Sequence, residues 1–105
     1  MKSVLAERSC PRVEAAFSLL SRKWTGLIIR ALISSPLHFC ELEKSLPALS
    51  ARVLALRMRE LEDSGIVHRG LSDSSPPRAR YELTEKGRDL EPVIAGIAAW
   101  ATRWE

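Results

Sequence analysis

The sequence predicts a winged helix-turn-helix, a mainly α fold that carries a small β-hairpin wing. Three observations point there. Phe39 to Gly65 reads as a short helix, a proline-broken turn, and a longer helix opened by a hydroxyl cap and closed by glycine. The longer helix is rich in arginine. A basic hairpin-like segment, Ile66 to Leu83, follows it directly. The expected order of elements is α-α-(short β)-α-α-β-β-α. Residues 1–9 are expected as a flexible arm, and 10–105 as one winged-helix domain ending in a dimerisation helix.

Each element has its own signals. Pro11 suits the first position of a helix, where its missing N–H is not needed. Val13, Ala16, Phe17 and Leu20 recur at i, i+3, i+4, i+7 and predict one apolar helix face. Ser21-Arg-Lys23 is a junction. Trp24, Leu27, Ile28, Ala31 and Leu32 repeat the spacing in a second helix, which Ser34-Ser-Pro36 ends. A third, short helix runs from Phe39 to Ser45, buried through Leu42 and Leu46. Pro47 stops it, because the residue before proline is pushed out of the helical region.

Ser50 is placed to cap the fourth helix, whose inward stripe is Leu54, Met58 and Leu61 and whose end is Gly65. Ile66–Arg69 and Ala79–Leu83 are β-type runs flanking a polar, proline-rich loop from Leu71 to Arg78. Tyr81 and Leu83 alternate with Arg80 and Glu82, so one strand face packs and the other meets solvent. Thr84 caps the last helical segment and Glu85 suits its positive end. Pro92 removes a hydrogen bond to Arg88 and should kink or split that segment. Beyond it Leu90, Ile94, Ile97, Ala101 and Trp104 form an apolar seam that Val93 and Trp100 widen.

At 105 residues the chain suffices for one domain with a modest core. A formal charge of +3 is compatible with a polyanionic partner but is weak evidence alone. Position says more: Arg52, Arg57, Arg59, Arg69, Arg78 and Arg80 all fall in the arginine-rich helix and the wing. No run approaches a signal peptide or the ~18 apolar residues of a membrane span, so a cytoplasmic protein is the default expectation. Two cysteines without CxxC spacing and two distant histidines suggest neither a disulfide framework nor a metal site. No paired carboxylates, Ser/His/Asp set or phosphate loop suggests catalysis, and no cofactor is expected.

A helix that reads duplex DNA needs one face locked into its domain and another free to enter a major groove ~12 Å wide. Leu54, Met58 and Leu61 would lock; the outward face collects Ser50, Ala51, Arg52, Ala55, Leu56 and Arg59. Arg52 is placed to fork onto guanine, whereas Ala51, Ala55 and Leu56 offer no hydrogen bonds. Arg69, Arg78 and Arg80 in the wing are expected to grip phosphates or the minor groove. The bland alternative is a solvated basic helix paired with Glu60, Glu62 and Asp63, and a wing that only solubilises its edge. The order of elements favours DNA. The seam of Val93, Ile94, Ile97, Trp100, Ala101 and Trp104 exposes more apolar surface than so thin a domain buries, which predicts a two-fold dimer and a palindromic site. The main rival is a winged-helix protein-interaction module meeting a protein partner through Ala51, Ala55 and Leu56.

Cys10-Pro-Arg-Val-Glu14, Lys23-Trp-Thr25, His38-Phe-Cys-Glu-Leu42, Leu49-Ser50 through Arg59-Glu-Leu-Glu62, and Pro76-Pro-Arg-Ala-Arg-Tyr-Glu-Leu-Thr-Glu-Lys-Gly87 together resemble the HxlR-type transcriptional regulators. These are small bacterial winged-helix proteins related to the MarR group. The resemblance spans roughly Cys10 to Trp100. It implies a homodimer, DNA binding through the helix that starts at Ser50, and control of nearby genes. It also implies an oxidant or small-molecule effector, since some members sense electrophiles or oxidants with the thiol matching Cys10. A thiol at a helix N-terminus between Arg8 and Arg12 fits that role, although packing is the other reading of it. This chain departs from the family in three places. Ala51, Ala55 and Leu56 stand where polar residues are frequent, which shifts weight to Arg52 and to DNA shape. Cys40 stands where asparagine is common, either as a partner for Cys10 or as a buried inert thiol. Arg80 replaces a commonly acidic residue and makes the wing more basic.

Overall fold

The computed structural model describes residues 10–105, so the expected arm at 1–9 and Arg8 lie outside the described residues. The elements are α1 (Pro11–Leu20), α2 (Thr25–Ser34), β1 (Leu37–His38), α3 (Phe39–Ser45), α4 (Ala51–Asp63), β2 (Val67–Leu71), β3 (Ala79–Leu83), α5 (Glu85–Arg88) and α6 (Glu91–Trp104). This is the winged helix-turn-helix order. The three strands form an antiparallel sheet with β3 in the middle, β1 on one side and β2 on the other. Leu37 pairs with Tyr81 and Val67 with Leu83, which fixes the wing's register against the helices.

One core joins these elements. Ile28, Ile29 and Leu32 of α2, Leu42 of α3, and Leu54, Met58 and Leu61 of α4 are buried with Ile66, Val67, Tyr81, Leu83 and Ile94. The buried stripe of α2 is Thr25, Ile28, Ile29 and Leu32, rotated from the expected Trp24–Leu27–Ile28–Ala31–Leu32 face. Trp24 stands outside the helix and outside its buried stripe. It precedes the helix in a left-handed conformation, φ 79°, a strained turn for a non-glycine residue. Its ring lies half-buried under the Lys23 ammonium, 5.5 Å from the ring centroid, and Leu27 is left exposed.

α1 departs further from expectation. None of its residues is buried, and Phe17 is 69% exposed. The Val13–Phe17 face points away from the core, which α1 meets only through half-buried Leu19 and Leu20. Periodicity found the helix but not what its apolar face packs against.

The helix-turn-helix is built by local hydrogen bonds. Leu46 N–H donates to Leu42 O at 3.0 Å and Leu49 N–H to Leu46 O at 3.0 Å, closing the turn around Pro47. Ser50 Oγ accepts from Val53 N at 3.1 Å, the expected cap of α4. At the other end Gly65, φ 75°, places its N–H on Glu62 O and the next N–H, of Ile66, on Leu61 O. These paired bonds satisfy the last carbonyls of α4 and turn the chain straight into the wing.

Pro92 does split the last helical segment. A turn at Asp89–Leu90 separates α5 from α6, and the split leaves Pro92 in the first turn of α6, where no N–H is needed. Thr84 caps α5 by accepting from Gly87 N at 3.1 Å while donating to Gly65 O. Gly87 is buried so tightly that a Cβ there would lie 2.2 Å from Ile66 O. No helix among the described residues is long and apolar enough to cross a membrane.

Candidate nucleic-acid interface

α4 presents two distinct faces. Leu54, Met58 and Leu61 are buried, while Ala51, Arg52, Ala55, Leu56 and Arg59 are exposed beside the capping Ser50. Arg52, Ala55, Leu56 and Arg59 line a shallow groove of about 550 Å³ with Ser50 and half-buried Val53. The Ser50 hydroxyl is engaged by Val53 N–H, so the first turn is held shut locally while its face stays open.

The arginines of α4 divide by partner. Arg57 Nε donates to Lys23 O at 2.8 Å, and its Nη1 meets Glu60 Oε1 at 3.2 Å. Glu60 Oε2 in turn binds Arg22 Nη2 at 2.6 Å. Arg57 therefore clamps α4 to the turn between α1 and α2, with its side chain only 12% exposed. Arg52 and Arg59 take no part in either ion pair found among the described residues. They sit seven residues apart on one side of the helix, roughly 10 Å along its axis.

The wing arginines face different ways. Arg69 is paired opposite Tyr81 in the ladder and lines a cleft of about 470 Å³ with Ala55, Arg59, Glu62 and Asp63. Arg69 thus joins Arg59 between the wing and α4. Arg80, opposite His38 and Gly70, belongs to the other face of the sheet. Arg78 lies just before β3, its backbone carbonyl accepting from Ser72 N at 2.8 Å and its own N–H meeting Ser72 Oγ at 3.2 Å. The structure therefore joins Arg52, Arg59 and Arg69 along one surface, and leaves Arg78 at the wing's loop and Arg80 on the sheet's opposite face. His38 Nδ1 contacts Ala79 O at 3.0 Å and so ties β1 and α3 to the wing's root.

Sequence reasoning named Glu62 and Asp63 as local partners of the basic helix but not their place in the cleft with Arg69, and it missed the clamp made by Arg57. The i,i+3 spacing of Arg57 and Glu60 was the available signal for the clamp. Nothing local marks the longer reach to Lys23.

The C-terminal seam also divides. Ile94 is 6% exposed, packed in the core, and Ala101 is half-buried. Ile94 is therefore a core residue of the single chain and has no free surface to offer a second copy. Val93, Ile97, Trp100 and Trp104 remain exposed, the tryptophans at 59% and 63%. The Arg103 guanidinium lies 5.1 Å from the Trp104 ring centroid. Cys10 is half-buried at the N-cap of α1 and makes no side-chain capping bond. Cys40 is exposed on the first turn of α3, so the expectation of a buried inert thiol fails there: the inward position of that short helix goes to Leu42. Both thiols are free.

Residues 19–105 match the model of the HxlR-like helix-turn-helix family. The chain is 44% identical over 95 residues to the HTH-type transcriptional regulator YvaP of Bacillus subtilis strain 168, an alignment covering 90% of this chain and 88% of that one. Its identity to the HTH-type transcriptional regulator YodB of the same organism is 42%, over 90% and 85% of the two chains. The reduced form of YodB superposes with a TM-score of 0.81, covering 90% of this chain and 93% of that one. YodB has also been solved diamide-treated and quinone-bound. The redox regulator HypR in its reduced form is 36% identical, with a TM-score of 0.81 over 88% of this chain and 91% of that one.

Proposed function

Because the chain belongs to the HxlR-like helix-turn-helix family of transcriptional regulators, and is no enzyme, we propose that it acts as a homodimer binding duplex DNA sequence-specifically. The outward face of α4 carries the reading. Arg52 and Arg59 are exposed and outside the ion pairs, on a helix whose opposite face is locked into the core. Such a helix enters a major groove as a rigid body, and Arg52, in its first turn, is placed for guanine O6 and N7. Arg69 follows Arg59 toward the groove edge, and Arg78 at the wing's loop reaches phosphate or the minor groove. Arg80, on the far face of the sheet, keeps only a long-range electrostatic role.

The dimer in this reading forms through Val93, Ile97, Trp100 and Trp104 of α6, with Ala101 at their edge, and Phe17 of α1 is a second exposed apolar element open to it. Two copies then present two α4 helices to a palindromic operator, one or more DNA turns apart. Cys10 is the thiol through which an oxidant or electrophile acts on binding. The redox character of HypR and the diamide-treated and quinone-bound forms of YodB support that assignment.

Selection of the reduced full-length protein against a random duplex library, followed by sequencing of retained DNA, tests the proposal. The expected product is an enriched inverted repeat. Enrichment without a repeat excludes the dimeric reader. No DNA retained at low salt excludes DNA binding and selects a protein-interaction role for the same face, the reading that the half-exposed Leu56 favours.

A further inference from the structure

We infer that the outward face of α4 recognises thymine through its 5-methyl group, so that each half-site carries thymines between the points met by Arg52 and Arg59. The inference rests on the DNA-binding reading above and names what that surface selects. Between Arg52 and Arg59 no side chain able to hydrogen-bond faces outward. Val53 is half-buried, Leu54 and Met58 are buried, and Arg57 is committed to Lys23 and Glu60. Ser50, whose hydroxyl accepts from Val53 N–H, lies before Arg52 and outside this span. What remains of the groove between the two arginines is Ala55 and Leu56, with Leu56 half exposed at the centre of the helix and the exposed Ala51 one turn before Ala55.

An apolar patch of this kind discriminates by what it cannot satisfy. The cytosine amino group or guanine O6 pressed against Leu56 would lose water and gain no partner. The thymine methyl is the apolar group that base pairs offer in the major groove, and it loses nothing there. Ala51 and Ala55 lie one turn apart, roughly 6 Å along the axis, close to two base-pair steps. Adjacent thymines on one strand, or thymines two steps apart, therefore fit the same face. Burial of one methyl group corresponds to about fourfold in affinity, and about fifteenfold when both half-sites of a palindrome lose one.

The test uses the enriched site from the library selection, resynthesised with deoxyuridine in place of individual thymines. Deoxyuridine keeps the O4 acceptor and the pairing and removes only the methyl. Binding of the full-length reduced protein, followed by fluorescence anisotropy, is expected to weaken about fourfold at each thymine under α4 and to stay unchanged at thymines elsewhere. Leu56→Ala, at an exposed position that does not support the fold, is expected to erase the discrimination at the thymine it covers and to leave the salt dependence intact. Equal affinity for the thymine and deoxyuridine sites overturns the inference while leaving a sequence-specific regulator standing. Undiminished discrimination in Leu56→Ala, or a selected half-site without thymine at its centre, overturns it in the same way. Failure to bind any duplex overturns both readings together.

Discussion

Arg52 and Arg57 are five residues apart on one helix and would look alike in any tally of basic residues, yet their surroundings assign them opposite work. Arg57 is held by Lys23 O and Glu60, and Glu60 is shared with Arg22, so the three side chains bind α4 to the α1–α2 turn. Removing it leaves the Lys23 carbonyl and Glu60 short of a charged partner. Arg57→Ala is expected to lower unfolding stability by about 1–2 kcal/mol in urea titration, with an unchanged preferred DNA sequence. Arg52→Ala is expected to leave stability within about 0.5 kcal/mol. Its binding to the best site should weaken by about 1–3 kcal/mol, with relaxed choice at one base position in a repeated selection. Binding as tight as that of the unaltered protein would remove Arg52 as a reader. Gly87 is the third residue whose identity is dictated by its neighbours. A Cβ at this position would lie 2.2 Å from Ile66 O, a backbone atom at the root of the wing. Gly87→Ala must push α5 off Ile66, the residue before β2, and is expected to lower the melting midpoint by several degrees, corresponding to about 2 kcal/mol or more.

At the scale of elements, α6 is the informative case. The seam in the sequence is continuous, but the split at Pro92 and the packing of α6 on the core sort it into two roles. Ile94 belongs to the core and Val93, Ile97, Trp100 and Trp104 to the outside. Ile94→Ala is expected to destabilise the fold by about 2–4 kcal/mol, since it removes buried methylenes from a close-packed site. Trp100→Ser with Trp104→Ser should instead preserve the helical circular-dichroism spectrum while shifting sedimentation toward the monomer. Retention of the dimer by the double variant would move the interface elsewhere, with α1 as the next surface to examine. The exposed Val13–Phe17 face of α1 has the same character, an amphipathic helix whose apolar side is unpaired among the described residues.

For the whole molecule, the arrangement places a half-buried thiol at the start of α1 and ties α4 to the turn that follows α1 through Arg22 and Glu60. A change at Cys10 that shifts α1 therefore has a physical route to α4, by way of the turn that Arg57 clamps. Cys10→Ser is expected to fold and to bind the selected operator as the reduced protein does. Its binding should persist after treatment with a thiol oxidant that releases the unaltered protein. Equal loss of binding in both would place the oxidant's action elsewhere, with the exposed Cys40 as the other thiol to test.

The sequence by itself determined the winged helix-turn-helix order, the ends of α3 and α4, and the inward stripe of Leu54, Met58 and Leu61. The reason is that these features are local. Caps, a glycine turn, a proline stop and an apolar period act over a few residues, and each is written within reach of the element it defines. The tertiary structure decided which apolar faces found a partner and which basic side chains stayed free. α1 is as periodic as α2, yet none of its residues is fully buried, and Ile94 and Ile97 share one seam but not one environment. Arg57 and Arg59 differ because Lys23, far back in the chain, comes within 2.8 Å of one of them. Periodicity tells that a face is apolar or a residue charged. The packing of distant segments supplies the neighbour that buries the first and, as the Lys23 carbonyl does for Arg57, fixes where the second is held.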